Sequence, residues 1–364
     1  MSIHFHKLKI KEVTKETEDC VSIAFHIPEE LKKIYSFCHG QNITLRGILN
    51  GEDIRRSYSI CTAPFEDELR VAVKKTEHGL FSRFANEQLK SGDEVDVLPP
   101  TGKFYTTLHA SHQKNYLAFA AGSGITPVIS IIKTTLKTEP HSQFTLVYGN
   151  RSRSSIIFLE ELEAIKNKYL DRFTLINILS REKTDAPVNS GKINLDKLKE
   201  LAKLVDYKKM DELFICGPEE MIFTTEQFLI TNGIDKKKIH FELFITPGEK
   251  KPGPDSYRGR SREPGVKDNE LKSTITIKAD GRSFEFDLAF GGDCILDAAL
   301  KRGADLPFAC KGGVCASCRA RLIEGEVEME MNWALEPGEV EQGYILTCQS
   351  HPKTEKVVID FDNR

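Results

Sequence analysis

Cys310-Lys-Gly-Gly-Val-Cys315-Ala-Ser-Cys318 places three thiols within nine residues, and Cys348 follows after 29 more. If all four sulfurs serve one centre, this part of the chain must form a tight loop and return to it for the fourth thiol. The spacing C-x4-C-x2-C with one distant cysteine is that of a 2Fe-2S cluster held by four thiolates. Such a loop has to turn its backbone amides toward sulfur, and Gly312, Gly313, Ala316 and Ser317 are small enough to allow that approach. Zinc is the alternative, but zinc ribbons usually present two C-x2-C pairs, whereas this stretch has one. Cys310, Cys315, Cys318 and Cys348 are the expected metal ligands. Cys294 lies outside the spacing and is expected to be a packing residue.

The other cysteines, Cys20, Cys38, Cys61 and Cys216, are scattered. An odd total of nine, behind an opening MSIHFHK with no long apolar stretch, points to the reducing cytoplasm. Residues 115–132 carry no charge, but Gly122, Gly124 and Pro127 interrupt them. They read as strand, glycine turn and helix start, so no membrane anchor is expected. With 51 basic against 54 acidic side chains, the chain lacks the basic excess of a nucleic-acid binder.

Thr246 to Ser273 is the clearest boundary. The stretch TPGEKKPGPDSYRGRSREPGVKDNELKS is rich in Gly, Pro and charge and poor in apolar surface, as a flexible linker would be. From Glu270 onward 11 basic side chains face 17 acidic ones, a net of −6, which leaves +3 on the remainder. The acidic run Glu324, Glu326, Glu328 and Glu330 reads as the wet face of a strand, with a partner-facing stripe as the alternative.

Two textures precede the linker. Up to residue 106, alternating runs over 21–25, 42–45 and 69–73 predict half-buried antiparallel strands, with a helical stretch over 80–89. From residue 115, apolar strands over 116–120, 143–148, 173–179 and 212–215 alternate with helices over 125–136, 154–168 and 221–231. That alternation predicts a parallel sheet covered by helices, with nucleotide bound at its carboxyl edge. Beyond the linker, strands are expected over 273–278, 283–287 and 357–359, and a helix over 294–301. The expected modules are 1–106, 107–245 and 273–364, joined by 246–272.

Arg56-Ser57-Tyr58-Ser59 offers a guanidinium, an aromatic ring and a hydroxyl at a strand end. Those are the groups a flavin needs at its pyrophosphate, its ring face and its reactive nitrogen. Gly79-Leu80-Phe81-Ser82 opens a helix whose free amides suit phosphate. These stretches, with Ala121-Gly122-Ser123-Gly124-Ile125-Thr126-Pro127 and Cys216-Gly217-Pro218-Glu219-Glu220-Met221, resemble the ferredoxin reductase family. The tail PFACKGGVCASCRARL resembles a plant-type ferredoxin domain. The resemblance spans nearly the whole chain outside the linker.

The resemblance implies an α+β multidomain fold: an antiparallel Greek-key flavin-binding β-barrel, a parallel-sheet α/β nicotinamide-binding domain and a C-terminal β-grasp ferredoxin domain. It implies FAD held by Arg56, Tyr58, Ser59, Val73, Gly79 and Ser82, with Phe244 covering the ring. It places the dinucleotide on Gly122, Gly124, Thr126, Pro127, Cys216, Gly217 and Pro218. Ser59, Cys216 and Glu242 become the residues nearest the chemistry. Ser180 and Arg181, with Arg151 nearby, match the pair that meets an adenosine 2′-phosphate, so NADPH is expected over NADH.

The implied activity is a reductase in which electrons pass from NAD(P)H through FAD and the 2Fe-2S cluster to an oxygenase protein. The module order resembles the reductases of phenylacetyl-CoA epoxidation, ketosteroid hydroxylation and phthalate dioxygenation. The stretches YGNR and ACKGGVCASCR lie nearest the first. The alternatives are a ferredoxin-NADP-type reductase for another acceptor and, outside enzymes, a redox-sensing iron-sulfur flavoprotein.

Overall fold

The computed structural model describes residues 4–244 and 272–363, so the linker expected over 246–272 falls almost wholly outside the described residues. The described chain forms two compact units. One contains residues 5–244 and the other the segment after the linker.

The first unit opens with six antiparallel strands: β1 (His6–Thr17), β2 (Cys20–His26), β3 (Asn42–Leu49), β4 (Glu52–Ser59), β5 (Leu69–Lys74) and β6 (Glu94–Val97). They run in the order β4-β3-β6-β1-β2-β5. A bridge from Ile60 to Val71, with Cys61 N–H donating to the Arg70 carbonyl at 2.9 Å, joins the two ends and closes the barrel. Closure removes the exposed sheet edges. Leu8, Ile10, Ile23, Ile43, Leu45 and Val71 fill the interior, each contributing on the order of 1.5–3 kcal/mol by leaving water. Helix α1 (Leu80–Glu87) plugs the barrel with Phe81 and Ala85.

The second half of this unit is a five-stranded parallel sheet. It comprises β7 (Asn115–Ala121), β8 (Gln143–Asn150), β9 (Phe173–Leu179), β10 (Glu212–Gly217) and β11 (Ile239–Leu243), in the order β11-β10-β7-β8-β9. Helices α2 (Ile125–Thr138), α3 (Leu159–Lys168), α4 (Leu195–Leu201) and α5 (Glu219–Thr231) connect them. The uncharged window over 115–132 is β7, a glycine turn and the first half of α2. Among the described residues no helix is long and apolar enough to cross a membrane.

Two details depart from expectation. The helix predicted from residue 154 begins at Leu159, because Phe158 takes a left-handed conformation (φ 62°) while its side chain packs into the core. Helix α4 was not anticipated. Seven residues are too few to establish a helical period, and the Asn194 side chain starts the helix by accepting the Lys197 N–H.

The unit after the linker contains β12 (Lys272–Ala279), β13 (Arg282–Ala289), α6 (Ile295–Leu300), β14 (Arg319–Glu324), β15 (Val327–Met329), α7 (Pro337–Glu341), β16 (Tyr344–Leu346), β17 (Ser350–Pro352) and β18 (Lys356–Asp360). The first and last strands, β12 and β18, lie side by side and parallel in a sheet ordered β13-β12-β18-β14-β16. Ile295, Leu296, Ala298 and Ala299 of α6 pack against Ile275, Ile277 and Val357, which is the β-grasp arrangement. Three carboxylates of the acidic run face bases on or beside β17 and β18: Glu324 with Lys356, Glu328 with Lys353 and Glu330 with His351.

Candidate functional site

Three expected residues, from distant parts of the sequence, converge in the first unit. Strand β4 ends at Ser59, which is 3% exposed, and its Oγ donates to Glu242 Oε2 at 2.9 Å. Glu242 lies on β11 opposite Cys216 of β10 in the parallel register. Cys216 is fully buried, and burial, reinforced by the nearby Glu242 charge, raises its thiol well above the ordinary range, so it is neutral. A hydroxyl, a carboxylate and a neutral thiol therefore meet where the barrel adjoins the carboxyl ends of the parallel strands.

The glycine turn completes this site. Gly122 has φ +53°, and Gly124 leads directly into α2. A β-carbon on Gly124 would lie 2.0 Å from the Cys216 carbonyl oxygen, so only glycine allows the helix start to press against the end of β10. The Thr126 hydroxyl donates to the Ser123 carbonyl at 3.0 Å, and Pro127 lies in the first turn of α2. Gly217 and Pro218 lead from β10 into α5, with Gly217 packed against Ala121. Tyr148, fully buried on β8, donates its hydroxyl to the Gly122 carbonyl at 2.9 Å. A helix start of this kind is where an anion meets backbone amides and the positive end of a helix dipole.

On the barrel side, Arg46 and Arg55 both pair with Asp53. Arg56 instead gives a hydrogen bond to the Arg55 carbonyl at 2.8 Å and has no carboxylate partner among the described residues. It is therefore the one of the three left to meet an anion. Tyr58 packs beside Phe81, with ring centroids 5.8 Å apart. Gly79 precedes α1, and the Thr76 and Ser82 hydroxyls fill the space where its β-carbon would sit. The Ser82 hydroxyl is engaged within that turn, donating to the Gly79 carbonyl and accepting the Thr76 N–H. Val73 is a core residue whose carbonyl accepts Asn86 Nδ2. Phe244, just past β11, is exposed.

Lys74 was missed in the sequence. Its ammonium pairs with Asp19 at 3.5 Å and lies 4.0 Å from where a Gly122 β-carbon would sit, so the barrel sets a cation beside the glycine turn. A lysine at a strand end carries no local signal of that proximity.

At the carboxyl edge, the Ser180 N–H donates to the Asn150 carbonyl at 2.9 Å and the Arg181 N–H to the Arg151 carbonyl at 2.8 Å. These bonds extend the β8–β9 pairing and set two exposed arginines side by side. Arg153 is drawn toward Glu182, whose carboxylate accepts its N–H at 2.6 Å.

In the other unit all four expected thiols are buried and free. They pair two and two: Cys310 is hydrogen-bonded to Cys315, and Cys318 to Cys348. The hydrogen bond from Cys310 holds the Cys315 thiol down to about 6, and that from Cys318 lowers Cys348 from its ordinary value. Backbone amides point at sulfur: Gly312 N–H donates to Cys310 Sγ at 3.3 Å and Cys310 N–H to Cys315 Sγ at 3.4 Å. Lys311 (φ 50°), Gly313 (φ 74°) and Ala316 (φ 53°) adopt the left-handed conformation that turns these amides inward. Among the described residues no three His, Cys, Asp or Glu side chains converge as the ligand set of one ion. The four thiols at this spacing suit the four-thiolate ligand set of a 2Fe-2S cluster. Cys294 precedes α6 outside this group, and burial pushes its thiol up to about 12.

Three family descriptions match the chain in order: an oxidoreductase FAD-binding domain over residues 7–105, an oxidoreductase NAD-binding domain over 119–227 and a 2Fe-2S iron-sulfur cluster binding domain over 277–353. One of the subunits of 1,2-phenylacetyl-CoA epoxidase from Escherichia coli K12 is 45% identical over 359 residues, 98% of each chain. The ferredoxin reductase component of 3-ketosteroid-9-alpha-monooxygenase from Rhodococcus rhodochrous is 34% identical over 97% of this chain and 96% of that one. Among solved structures, phthalate dioxygenase reductase shares the fold over 98% of both chains (TM-score 0.56, 23% identity). An intact type IV self-sufficient cytochrome P450 monooxygenase shares it over 98% of this chain and 41% of that one (TM-score 0.69, 19% identity). The chain belongs to the family of oxygenase reductase components that join an FAD-binding domain, an NAD-binding domain and a C-terminal 2Fe-2S domain.

Proposed function

We propose that this protein takes electrons from NADPH and delivers them to an oxygenase, of which a phenylacetyl-CoA epoxidase is the preferred candidate. The observation that carries the reading is the meeting of Ser59, Glu242 and Cys216 beside the Gly122–Gly124 turn. When bound, FAD accepts a hydride as two electrons and the 2Fe-2S cluster passes electrons on singly.

The chain's own residues then have distinct tasks. Arg56 and the start of α1 hold the flavin phosphates, and Tyr58 lies along the ring. The glycine turn at 122–124 and the start of α2 hold the dinucleotide phosphates, while Gly124 and Cys216 fix the floor on which the nicotinamide rests. The neutral Cys216 thiol excludes water and adds no charge. Ser59 is buried and Glu242 half-buried, so their hydrogen bond gives a proton at Ser59 Oγ a short route outward. Arg151, Ser180 and Arg181 favour a 2′-phosphate. Cys310, Cys315, Cys318 and Cys348 would hold the 2Fe-2S cluster through their thiolates. The modules are assigned as 1–106, 107–245 and 273–364 with the linker 246–272, and the nine unpaired cysteines support a cytoplasmic setting.

NAD(P)H-dependent reduction of cytochrome c by the cofactor-loaded protein is the test, and its absence would defeat the reading. A higher kcat/KM with NADH would overturn the NADPH assignment. Electron delivery to a purified phenylacetyl-CoA epoxidase oxygenase, measured as substrate-dependent NADPH consumption, tests the partner.

A further inference from the structure

Helix α2 starts at the dinucleotide turn, and its next two turns are bolted to the barrel by polar groups that the proposed chemistry leaves unused. Ser130, fully buried, donates its hydroxyl to the Thr62 carbonyl at 2.6 Å. Thr62 lies only three residues past Ser59 and is itself held, its hydroxyl donating to the Glu68 carbonyl at 2.6 Å. One turn further along α2, the Lys133 ammonium, 8% exposed, meets Glu66 Oε2 at 2.8 Å and Glu161 Oε1 at 2.7 Å. Glu66 Oε2 also accepts the Ala63 N–H at 2.7 Å. The carboxylate therefore fastens the turn after the flavin strand to α2, and Glu161 fastens α3 to the same point.

The surrounding contact is otherwise apolar, with Cys61 and Ala72 of the barrel packed among Ile129 and Ile132 of α2. Apolar burial is non-directional and tolerates sliding. Hydrogen bonds to Ser130 and Lys133 do not, because they weaken steeply with misalignment. From Gly124 to Ser130 the helix rises roughly 9 Å at 1.5 Å per residue. A short rigid path thus runs from the dinucleotide turn through Ser130 and Thr62 to Ser59.

We propose that Ser130 and Lys133 are positioning residues for hydride transfer, setting the register between the dinucleotide turn and the flavin strand. They touch neither reactant. The inference rests on the reading above, and the experiment separates the two. Full-length, FAD-loaded protein is mixed anaerobically with the preferred dinucleotide in a stopped-flow instrument, and bleaching of the flavin is followed against dinucleotide concentration.

In Lys133→Met the limiting rate is expected to fall about tenfold or more, since small misplacements of reacting groups carry large rate penalties. The dinucleotide dissociation constant should stay within about twofold of wild type, because the turn and its amides are untouched. Lys133→Arg, which can still reach both carboxylates, should recover part of the rate. A folded Lys133→Met with the wild-type limiting rate overturns the inference, as does equal worsening of rate and affinity. If that variant loses its FAD, Ser130→Ala decides: it removes one hydroxyl and no charge, and an unchanged limiting rate again overturns the inference. A wild-type protein that bleaches with neither dinucleotide defeats the electron-entry reading itself, and the inference falls with it.

Discussion

Replacing Gly124 with alanine tests the core geometry most sharply. The added β-carbon would stand 2.0 Å from the Cys216 carbonyl oxygen, 2.4 Å from its carbon and 2.9 Å from the Gly217 nitrogen. All three are backbone atoms of β10, so no side chain can rotate away. Non-bonded carbon and oxygen do not approach within 3.0 Å, so the start of α2 and the end of β10 must part by about 1 Å, a displacement that can cost a reaction on the order of 100-fold. Overpacking a tight contact also lowers stability by about 1–3 kcal/mol, which a barrel and sheet with this much buried apolar surface should survive. The assay is anaerobic single-turnover flavin reduction of the FAD-loaded variant, with thermal melting as the control for folding. The expected result is a lowered melting midpoint, retained FAD and a limiting hydride-transfer rate reduced by about two orders of magnitude. A folded Gly124→Ala protein that bleaches its flavin at the wild-type rate would refute the claim that the Gly124–Cys216 contact sets the nicotinamide floor.

Other perturbations reach separate parts of the structure. Tyr148→Phe removes the hydroxyl that holds the Gly122 carbonyl, at about 0.5–1.5 kcal/mol for the hydrogen bond; KM for the dinucleotide should rise severalfold with kcat little changed. Cys315→Ser should abolish cytochrome c reduction while sparing direct flavin-to-ferricyanide transfer, and equal survival of both activities would show that the relay order is wrong. Burial pushes the His39 ring down to about 4 from its ordinary 6.5, so the folded state prefers it neutral. The resulting stability is complete above pH 6.5 and falls as pH drops toward 4, by up to about 3 kcal/mol. Thermal melting of wild type and His39→Gln across that window should show the variant with the shallower acid limb.

The spacing of four cysteines, the two glycine turns and the switch from alternating strands to alternating strand and helix were all readable from the chain. Each of these signals is local: a loop that wraps sulfur, a turn that excludes side chains, a period imposed by one buried face. What the tertiary structure alone decided is which distant groups meet. Ser59 and Glu242 are 183 residues apart in sequence, and only the docking of barrel on parallel sheet makes them a hydrogen-bonded pair. Folding likewise sorts the thiols into Cys310–Cys315 and Cys318–Cys348, assigns the Ser82 hydroxyl to its own turn and leaves Arg56 without the carboxylate that neutralises Arg46 and Arg55. Lys133 looks like any helical lysine until Glu66 and Glu161 close on it from two other elements. Backbone preferences act within a few residues and leave a trace in the order of side chains. Contacts across packed elements depend on distances that no short window of sequence contains.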